Sequence, residues 1–222
     1  MKKSRKLGLG IGLGVILVAA LAVVAALFLP LFQVAKIEVS GNSHTAVEEI
    51  DAASSVALGT PLIRVNTTTA AHNVAQLPWI AKVSVDRAMP DTVKVTVEER
   101  QALMFARRSD GEHLFDATGR PFVIETPPLG CTEVTGTKED DPVLFADVAT
   151  AITALDPGAR EKLERVDAPN RFELRLHFAG GKEVYWGSTE QAHDKAKATS
   201  TVIQREGARW NVSAPGMVTV LP

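Results

Sequence analysis

The feature that most constrains this 222-residue chain is a run of 26 uncharged residues, Leu7–Phe32. As a helix it would be about 39 Å long, more than the ~30 Å hydrocarbon core of a bilayer requires. Four basic residues and no acidic residue precede it. Because positive charge keeps a flanking segment in the cytoplasm, we expect a cytoplasmic tail (1–6), a transmembrane helix (7–32) and an extracytoplasmic remainder. No second run of this length follows, which argues against a multi-span transporter.

A cleavable signal peptide is the competing interpretation of this run. The apolar core of such a peptide spans about 7–15 residues, whereas apolar sequence here continues for ten residues beyond Ala20-Leu21-Ala22. The length therefore favours a retained anchor. Gly8 and Gly12 have the spacing at which membrane helices approach closely. Glycine is common in such helices, so the sequence leaves self-association of the anchor open.

The charge balance changes after the uncharged run. Residues 33–222 carry 20 basic and 26 acidic side chains, a net charge of −6 against +4 before them. An acidic chain without a basic stripe argues against nucleic-acid binding. Cys131 is the one cysteine, so an intramolecular disulfide is excluded and the extracytoplasmic part must be stabilised by its core.

Residues 33–99 predict a small α+β domain. Three segments alternate apolar and polar residues and predict strands, namely Val34–Val39, Ile80–Val85 and Thr92–Glu98, the last with Val93, Val95 and Val97 facing inward. Thr45 and Glu48 form a capping box that predicts one helix. Asn66 or Thr67 begins a second helix, which Pro78 ends. The order β-α-α-β-β lets two helices cover one face of a three-stranded sheet.

Residues 100–222 predict a second α+β domain with a meandering antiparallel sheet. Short apolar runs are separated by turns such as Ser109-Asp110-Gly111, and residues 126–142 have the composition of a loop. Apolar spacing predicts a helix over Val143–Leu155, ended by Pro157. Arg171–Phe178 alternates and predicts a strand with Phe172 on its apolar face. Ser188–Gln191 has the form of a capping box for a helix that reaches about Glu206.

We predict neither an enzyme nor a metal or cofactor site. The histidines do not pair at ligand spacing on one helix face, and no cysteine pair accompanies them. His113 and Asp116 have no nucleophile near them in the sequence. Glu98 and Glu99 point to opposite faces of a strand, so they cannot easily serve one site as paired carboxylates.

Several motifs together resemble one known family. Val39-Ser40-Gly41-Asn42, Leu77–Val83 and Arg87–Arg100 resemble the POTRA domain of the FtsQ/DivIB cell-division family. Tyr185-Trp186-Gly187 resembles a late segment of that family, and Asn211–Gly216 resembles the end of its actinobacterial members. The resemblance covers almost the entire chain. It implies a POTRA domain at 33–99 and an FtsQ-type β domain at 100–222.

The resemblance also implies a function. It predicts a single-pass, non-enzymatic divisome component of the plasma membrane at the division septum. Its implied partners are FtsB- and FtsL-like proteins and other divisome membrane proteins, and its implied effect is on septal peptidoglycan synthesis. The alternative is a POTRA-bearing chaperone or translocation factor that binds polypeptide segments. An extracytoplasmic hydrolase is disfavoured because a catalytic set is missing.

The implied partner surface lies at the end of the chain, where a partner segment would add a strand to an open sheet edge. The candidate partner-binding residues are Gln204, Arg205, Trp210, Val212, Ser213, Met217, Val218 and Val220. Tryptophan and arginine are frequent anchors of protein interfaces. The competing interpretation is that Trp210, Val212 and Val220 are core residues of the final strands.

Overall fold

The computed structural model describes residues 14–19, 32–137 and 141–221. The chain divides into two compact units, Met1–Glu99 and Arg100–Pro222. Residues 14–19 are helical. Within the described residues, no helix is both long and apolar enough to cross a bilayer. The predicted cytoplasmic tail (1–6), most of the predicted transmembrane helix (7–32) and the Gly8–Gly12 pair lie outside the described residues.

The first unit has the predicted order of elements. They are β1 (Lys36–Ser40), α1 (Val47–Ser54), a 3-10 turn (Leu62–Arg64), α2 (Thr67–Val74), β2 (Ile80–Ala88) and β3 (Thr92–Glu99). The strands lie in the order β1-β3-β2, with β1 parallel and β2 antiparallel to β3. The predicted small α+β domain is therefore confirmed in its element order and in its three-stranded sheet.

The core of the first unit lies between the sheet and the two helices. Val93, Val95 and Val97 of β3 are buried, as the alternation predicts. They belong to one apolar cluster with Ile50 of α1 and Val74 of α2. The central strand thus buries its valines beneath both helices.

The predicted N-terminal cap is present at α2 but not at α1. Asn66 caps α2, with its side-chain oxygen accepting a hydrogen bond from the Thr69 N–H at 3.0 Å, as predicted. The capping box at Thr45 is wrong, because α1 begins after Ala46 and none of the described side chains caps it. Instead, the Glu99 carboxylate at the end of β3 accepts the N–H groups of the preceding loop. A residue more than fifty positions away in the sequence therefore fixes the loop that leads into α1.

The second unit is larger and contains nine strands and three helices within its described residues. They are β4 (Met104–Arg108), β5 (Gly111–Phe115), β6 (Pro121–Ile124), β7 (Thr132–Thr135), α3 (Pro142–Ala154), α4 (Pro157–Glu161), β8 (Leu163–Asp167), β9 (Leu174–Phe178), β10 (Lys182–Gly187), α5 (Ala192–Val202), β11 (Arg209–Asn211) and β12 (Thr219–Val220). They form one sheet in the order β12-β11-β10-β9-β8-β7-β4-β5-β6.

This sheet is mixed, so the prediction of a meandering antiparallel sheet is wrong. Three neighbouring pairs are parallel, namely β4 with β7, β7 with β8, and β10 with β11. Parallel neighbours need a crossover connection. The helices α3 and α4 connect β7 to β8, and α5 connects β10 to β11. The prediction missed β7, which lies in the segment assigned to a loop, and β8, which follows α4.

The helices of the second unit pack against one face of its sheet. Phe145 of α3 stacks on Phe115 of β5 with ring centroids 3.8 Å apart, and Trp186 of β10 is fully buried in the same cluster. Phe172 does not join them, contrary to the prediction. It precedes β9, which begins at Leu174, and it is 70% exposed.

Candidate partner-binding edge

The strand β12 forms one open edge of the large sheet. It pairs antiparallel with β11, Val220 lying opposite Trp210 and Thr219 opposite Asn211. The Leu221 N–H donates to the Arg209 carbonyl at 2.9 Å. Since successive residues of a strand direct their backbone groups to opposite sides, Val220 directs its own N–H and carbonyl away from β11. These two groups face the open side of the sheet.

A groove of about 640 Å³ lies beside this edge, between α5 and residues 215–218. Its lining residues are Gln191, Asp194, Lys197, Ala198, Thr201, Val202, Arg205, Pro215, Gly216 and Val218. Val218 lines the groove, and Val220, two residues further along, shares its face. The walls combine apolar side chains with three charged ones. The groove can therefore receive side chains of both kinds.

The helix α5, which supplies one wall, differs from its prediction at both ends. It begins after Gln191, whose φ is +53°, and no described side chain provides the cap expected from Ser188–Gln191. Lys195 holds that segment instead. Its ammonium is buried and donates to the Ser188 carbonyl at 2.9 Å. Burial lowers the pKa of this lysine.

The end of α5 determines where two of the candidate residues lie. The helix ends at Val202, earlier than the predicted Glu206, because the chain turns there towards β11. Gln204 and Arg205 are exposed in this turn. The Arg205 N–H donates to the Val202 carbonyl at 3.0 Å, and its own carbonyl accepts from the Lys182 ammonium.

The remaining candidate residues divide into buried and exposed groups. Trp210 and Val212 belong to the core, with exposed fractions of 7% and 0%. The Trp210 ring also packs closely on Gly207. Met217 and Val220 are 74% and 58% exposed. Ser213 is half-buried, and its hydroxyl donates to the Asn211 side chain at 2.8 Å.

Of the candidate residues, the structure brings Arg205 and Val218 to the groove. The sequence analysis missed the α5 residues Asp194, Lys197 and Thr201. Their spacing of three and four places them on one helix face. That signal was available, since the helix itself was predicted.

The residues considered for catalysis serve other contacts. The His113 ring nitrogen Nε2 lies 3.0 Å from the Asp110 carboxylate, while Asp116 binds the Arg100 guanidinium at 2.9 Å and the Thr118 hydroxyl and N–H. In the part of the chain that the structure describes, no group of three or more histidine, cysteine or acidic residues could hold a metal ion.

Known proteins resemble this chain over nearly its whole length. The family model described as "POTRA domain, FtsQ-type" matches residues 32–100. A protein of Corynebacterium glutamicum named "Cell division protein FtsQ" is 44% identical over 214 residues, which cover 95% of this chain and 96% of the relative. A protein of the same name from Mycolicibacterium smegmatis is 31% identical over 218 residues, and the alignment covers 96% of this chain but 65% of the relative.

Among solved structures, the major extracytoplasmic domain of the cell division protein DivIB from Geobacillus stearothermophilus matches with a TM-score of 0.36 and 13% identity. That match covers 47% of this chain and 89% of the domain. The identity with the corynebacterial relative extends over almost the full length of both chains, and the POTRA model matches residues 32–100. The chain belongs to the FtsQ/DivIB family of cell-division proteins.

Proposed function

We propose that this chain is a divisome scaffold that captures partner proteins by strand addition at β12. Family membership supports the role in cell division, and the open backbone of Val220 beside a groove supports the mode of binding. The proposed role is binding rather than catalysis. The edge geometry is the single observation that carries the mechanism.

An incoming partner strand would pair with the two backbone groups that Val220 directs outward. Main-chain hydrogen bonds would supply affinity, and pockets for alternate side chains would supply specificity. The groove beside Val218 provides such a pocket. Arg205 at its wall and the exposed Met217 are positioned to contact the partner's side chains.

In this proposal, Trp210 and Val212 support the sheet edge from within the core. Because β12 pairs only with β11 in the sheet order, the position of the edge depends on how firmly β11 is held. Trp210 lies directly opposite Val220, and its burial fixes β11 against the helices. We therefore assign Trp210 and Val212 to support of the edge and the exposed residues to partner contact.

The proposed setting is the plasma membrane at the division septum. A single span over residues 7–32 would leave the N-terminus in the cytoplasm and both units outside, as the charge distribution supports. The proposed partners are FtsB- and FtsL-like proteins and other divisome membrane proteins. Through them the chain would influence septal peptidoglycan synthesis.

Replacing Val220 with proline tests the mechanism. Val220→Pro removes the outward N–H without removing a hydrogen bond to β11, and proline is tolerated at edge strands. The matched control, Val220→Thr, keeps the N–H and the side-chain volume. We expect the full chain, reconstituted in nanodiscs, to bind extracytoplasmic segments of FtsB- and FtsL-like proteins at least about tenfold more weakly after Val220→Pro, or about 1.4 kcal/mol.

Circular dichroism establishes whether both variants keep their fold. Equal binding by Val220→Pro and the unchanged chain would contradict strand addition at this edge. Failure of the unchanged chain to bind either segment would contradict the choice of partners. Equal binding of unrelated polypeptides would favour the chaperone or translocation alternative.

A further inference from the structure

Leu58, Ile63 and Met89 are the three most exposed large apolar side chains within residues 33–99, ahead of Val47 at 43%. Leu58 and Ile63 are each 66% exposed, and Met89 is 68% exposed. Single exposed apolar residues are normal on protein surfaces. A group of them gathered at one end of a unit marks a contact site.

Backbone hydrogen bonds place all three at the start of β1. Val34 accepts from the Gly59 N–H at 2.8 Å and donates to the Thr60 carbonyl at 2.9 Å, while the Ala35 N–H donates to the Asp91 carbonyl at 2.8 Å. Gln33 also forms a bridge with Pro61. Leu58, Ile63 and Met89 each lie within two residues of one of these contacts, so the segments that carry them meet at residues 33–35.

The sheet topology shows which parts of the unit lie at the same end as the start of β1. Because β1 is parallel to β3, the start of β1 lies beside the turn that connects β2 to β3, and that turn carries Met89. Residue 33 directly follows the uncharged run Leu7–Phe32. If that run spans a bilayer, the apolar residues lie at the end of the unit nearest to the membrane.

Basic side chains accompany the apolar ones. Arg64 follows Ile63 directly and is exposed. The Arg87 guanidinium donates to the Val65 carbonyl at 2.7 and 3.2 Å, which holds it beside the loop that carries Ile63. Positive charge next to exposed apolar groups suits a bilayer surface with anionic headgroups.

The shape of this end favours a lipid surface over a peptide. A cavity of about 200 Å³ lies next to it, and its lining includes Thr60 and Arg64 but none of the three apolar residues. Leu58 and Met89 lie in loops and Ile63 lies in the 3-10 turn, and none of the three lines this cavity. Apolar side chains with basic neighbours suit the boundary between headgroups and acyl chains, into which the apolar face of an interfacial helix inserts by about 5–10 Å.

We infer that this end of the first unit rests on the membrane, with Leu58, Ile63 and Met89 inserted among the lipid headgroups. The inference rests on the proposed membrane anchor and adds a second contact with the bilayer. Three loops around the exit of the anchor would then hold the first unit in one orientation on the membrane surface.

Site-specific fluorescence in vesicles tests this contact. The full chain, with Cys131→Ser to remove its one cysteine, receives an environment-sensitive nitrobenzoxadiazole label at Leu58→Cys, Ile63→Cys or Met89→Cys. Each variant is reconstituted in phosphatidylethanolamine and phosphatidylglycerol vesicles with nitroxide-labelled lipids as quencher. Val47→Cys is the matched control, since Val47 is apolar, 43% exposed and lies after the other end of β1.

We expect the labels at 58, 63 and 89 to emit at shorter wavelength and to lose most of their fluorescence to the quencher lipids, while the label at 47 keeps its fluorescence. Flotation of the vesicles on a density gradient checks anchoring separately. A chain that floats with the vesicles, but whose three labels respond like the label at 47, would overturn the inference and leave the anchor and the divisome role standing. A chain that does not float would overturn the proposed anchor and this inference together.

Discussion

Glu99 holds the loop that precedes α1, so its loss should destabilise the first unit. Its Oε2 accepts the Ser43 N–H at 3.0 Å, the Ser43 hydroxyl at 2.8 Å and the His44 N–H at 2.8 Å. Its Oε1 accepts the Thr45 N–H at 2.8 Å. Glu99→Gln keeps the shape of the side chain, removes its charge and replaces one accepting oxygen with a donor.

The pKa of Glu99 sets the scale of the effect. Burial by itself raises this pKa, but the hydrogen bonds from Thr45, His44 and Ser43 outweigh burial and lower it from 4.5 to about 2. That difference is worth at most about 3.5 kcal/mol, since each tenfold change in proton affinity is worth about 1.4 kcal/mol. The carboxylate is partly exposed to solvent, so we expect Glu99→Gln to lower the free energy of unfolding by about 1–2 kcal/mol near neutral pH.

The pH dependence follows from the same pKa. Because the folded pKa lies below the unfolded one, the stabilisation is fully present above about pH 4.5 and is lost as the pH falls towards about 2. The difference in the free energy of unfolding between the unchanged chain and Glu99→Gln should therefore shrink over this interval.

Pulse proteolysis in a urea series measures this free energy, with fragments identified by mass so that cleavage within residues 34–99 is followed separately. Glu98→Gln is the control. Its carboxylate lies 2.9 Å from the Lys82 ammonium, with side-chain exposed fractions of 63% and 75%, and such a surface pair contributes about 0–1 kcal/mol. Equal effects of Glu98→Gln and Glu99→Gln, or a difference that persists undiminished near pH 3, would refute the assignment of Glu99 as the anchor of this loop.

Other substitutions test the second unit by thermal or urea unfolding. Gly119 has a φ of +78°, and an added Cβ would collide with the backbone of Phe145 and Ala146. Gly130 has a φ of +90°, and a Cβ added there would have no described atom within 4 Å other than those of the adjacent residues. We expect Gly119→Ala to lower the free energy of unfolding by about 1–3 kcal/mol more than Gly130→Ala. Equal effects would contradict the close approach at Gly119. Trp210→Ala should lower the free energy of unfolding by about 3–5 kcal/mol because it empties a core position. Met217→Ser should change stability by less than about 0.5 kcal/mol and weaken partner binding, and unchanged binding would remove Met217 from the proposed surface.

The local sequence pattern was sufficient to predict which face of one strand is buried and which residue caps one helix. The alternation in Thr92–Glu98 predicted the burial of Val93, Val95 and Val97, because period 2 directs alternate side chains to one face. The side chain of Asn66 reaches the N–H of a residue three positions further along, so its cap was visible in the sequence. The family resemblance, carried by motifs spread along the chain, was confirmed by the comparisons.

The prediction failed where contacts between segments distant in the sequence determine the structure. Thr45 had the residue type of a cap, but α1 begins after Ala46, and Glu99 at the end of β3 fixes the loop before the helix by accepting the N–H groups of residues 43–45. The antiparallel order of the large sheet was wrong partly because β7 is only four residues long and lies within residues 126–142, a segment whose overall composition is that of a loop. Such a strand is stabilised by its neighbours β4 and β8, which are remote in sequence.

The amino-acid sequence by itself determined the uncharged run, the two α+β units, the inward face of the central strand and the family. Each of these depends on periodicity or on motifs within short segments. The tertiary structure alone decided that Trp210 and Val212 are buried while Val220 and Met217 are exposed, and that Val220 directs its backbone groups to an open edge. The physical reason is that a residue at a sheet edge and one in a sheet core have the same local preferences, and only the pairing of distant strands distinguishes them.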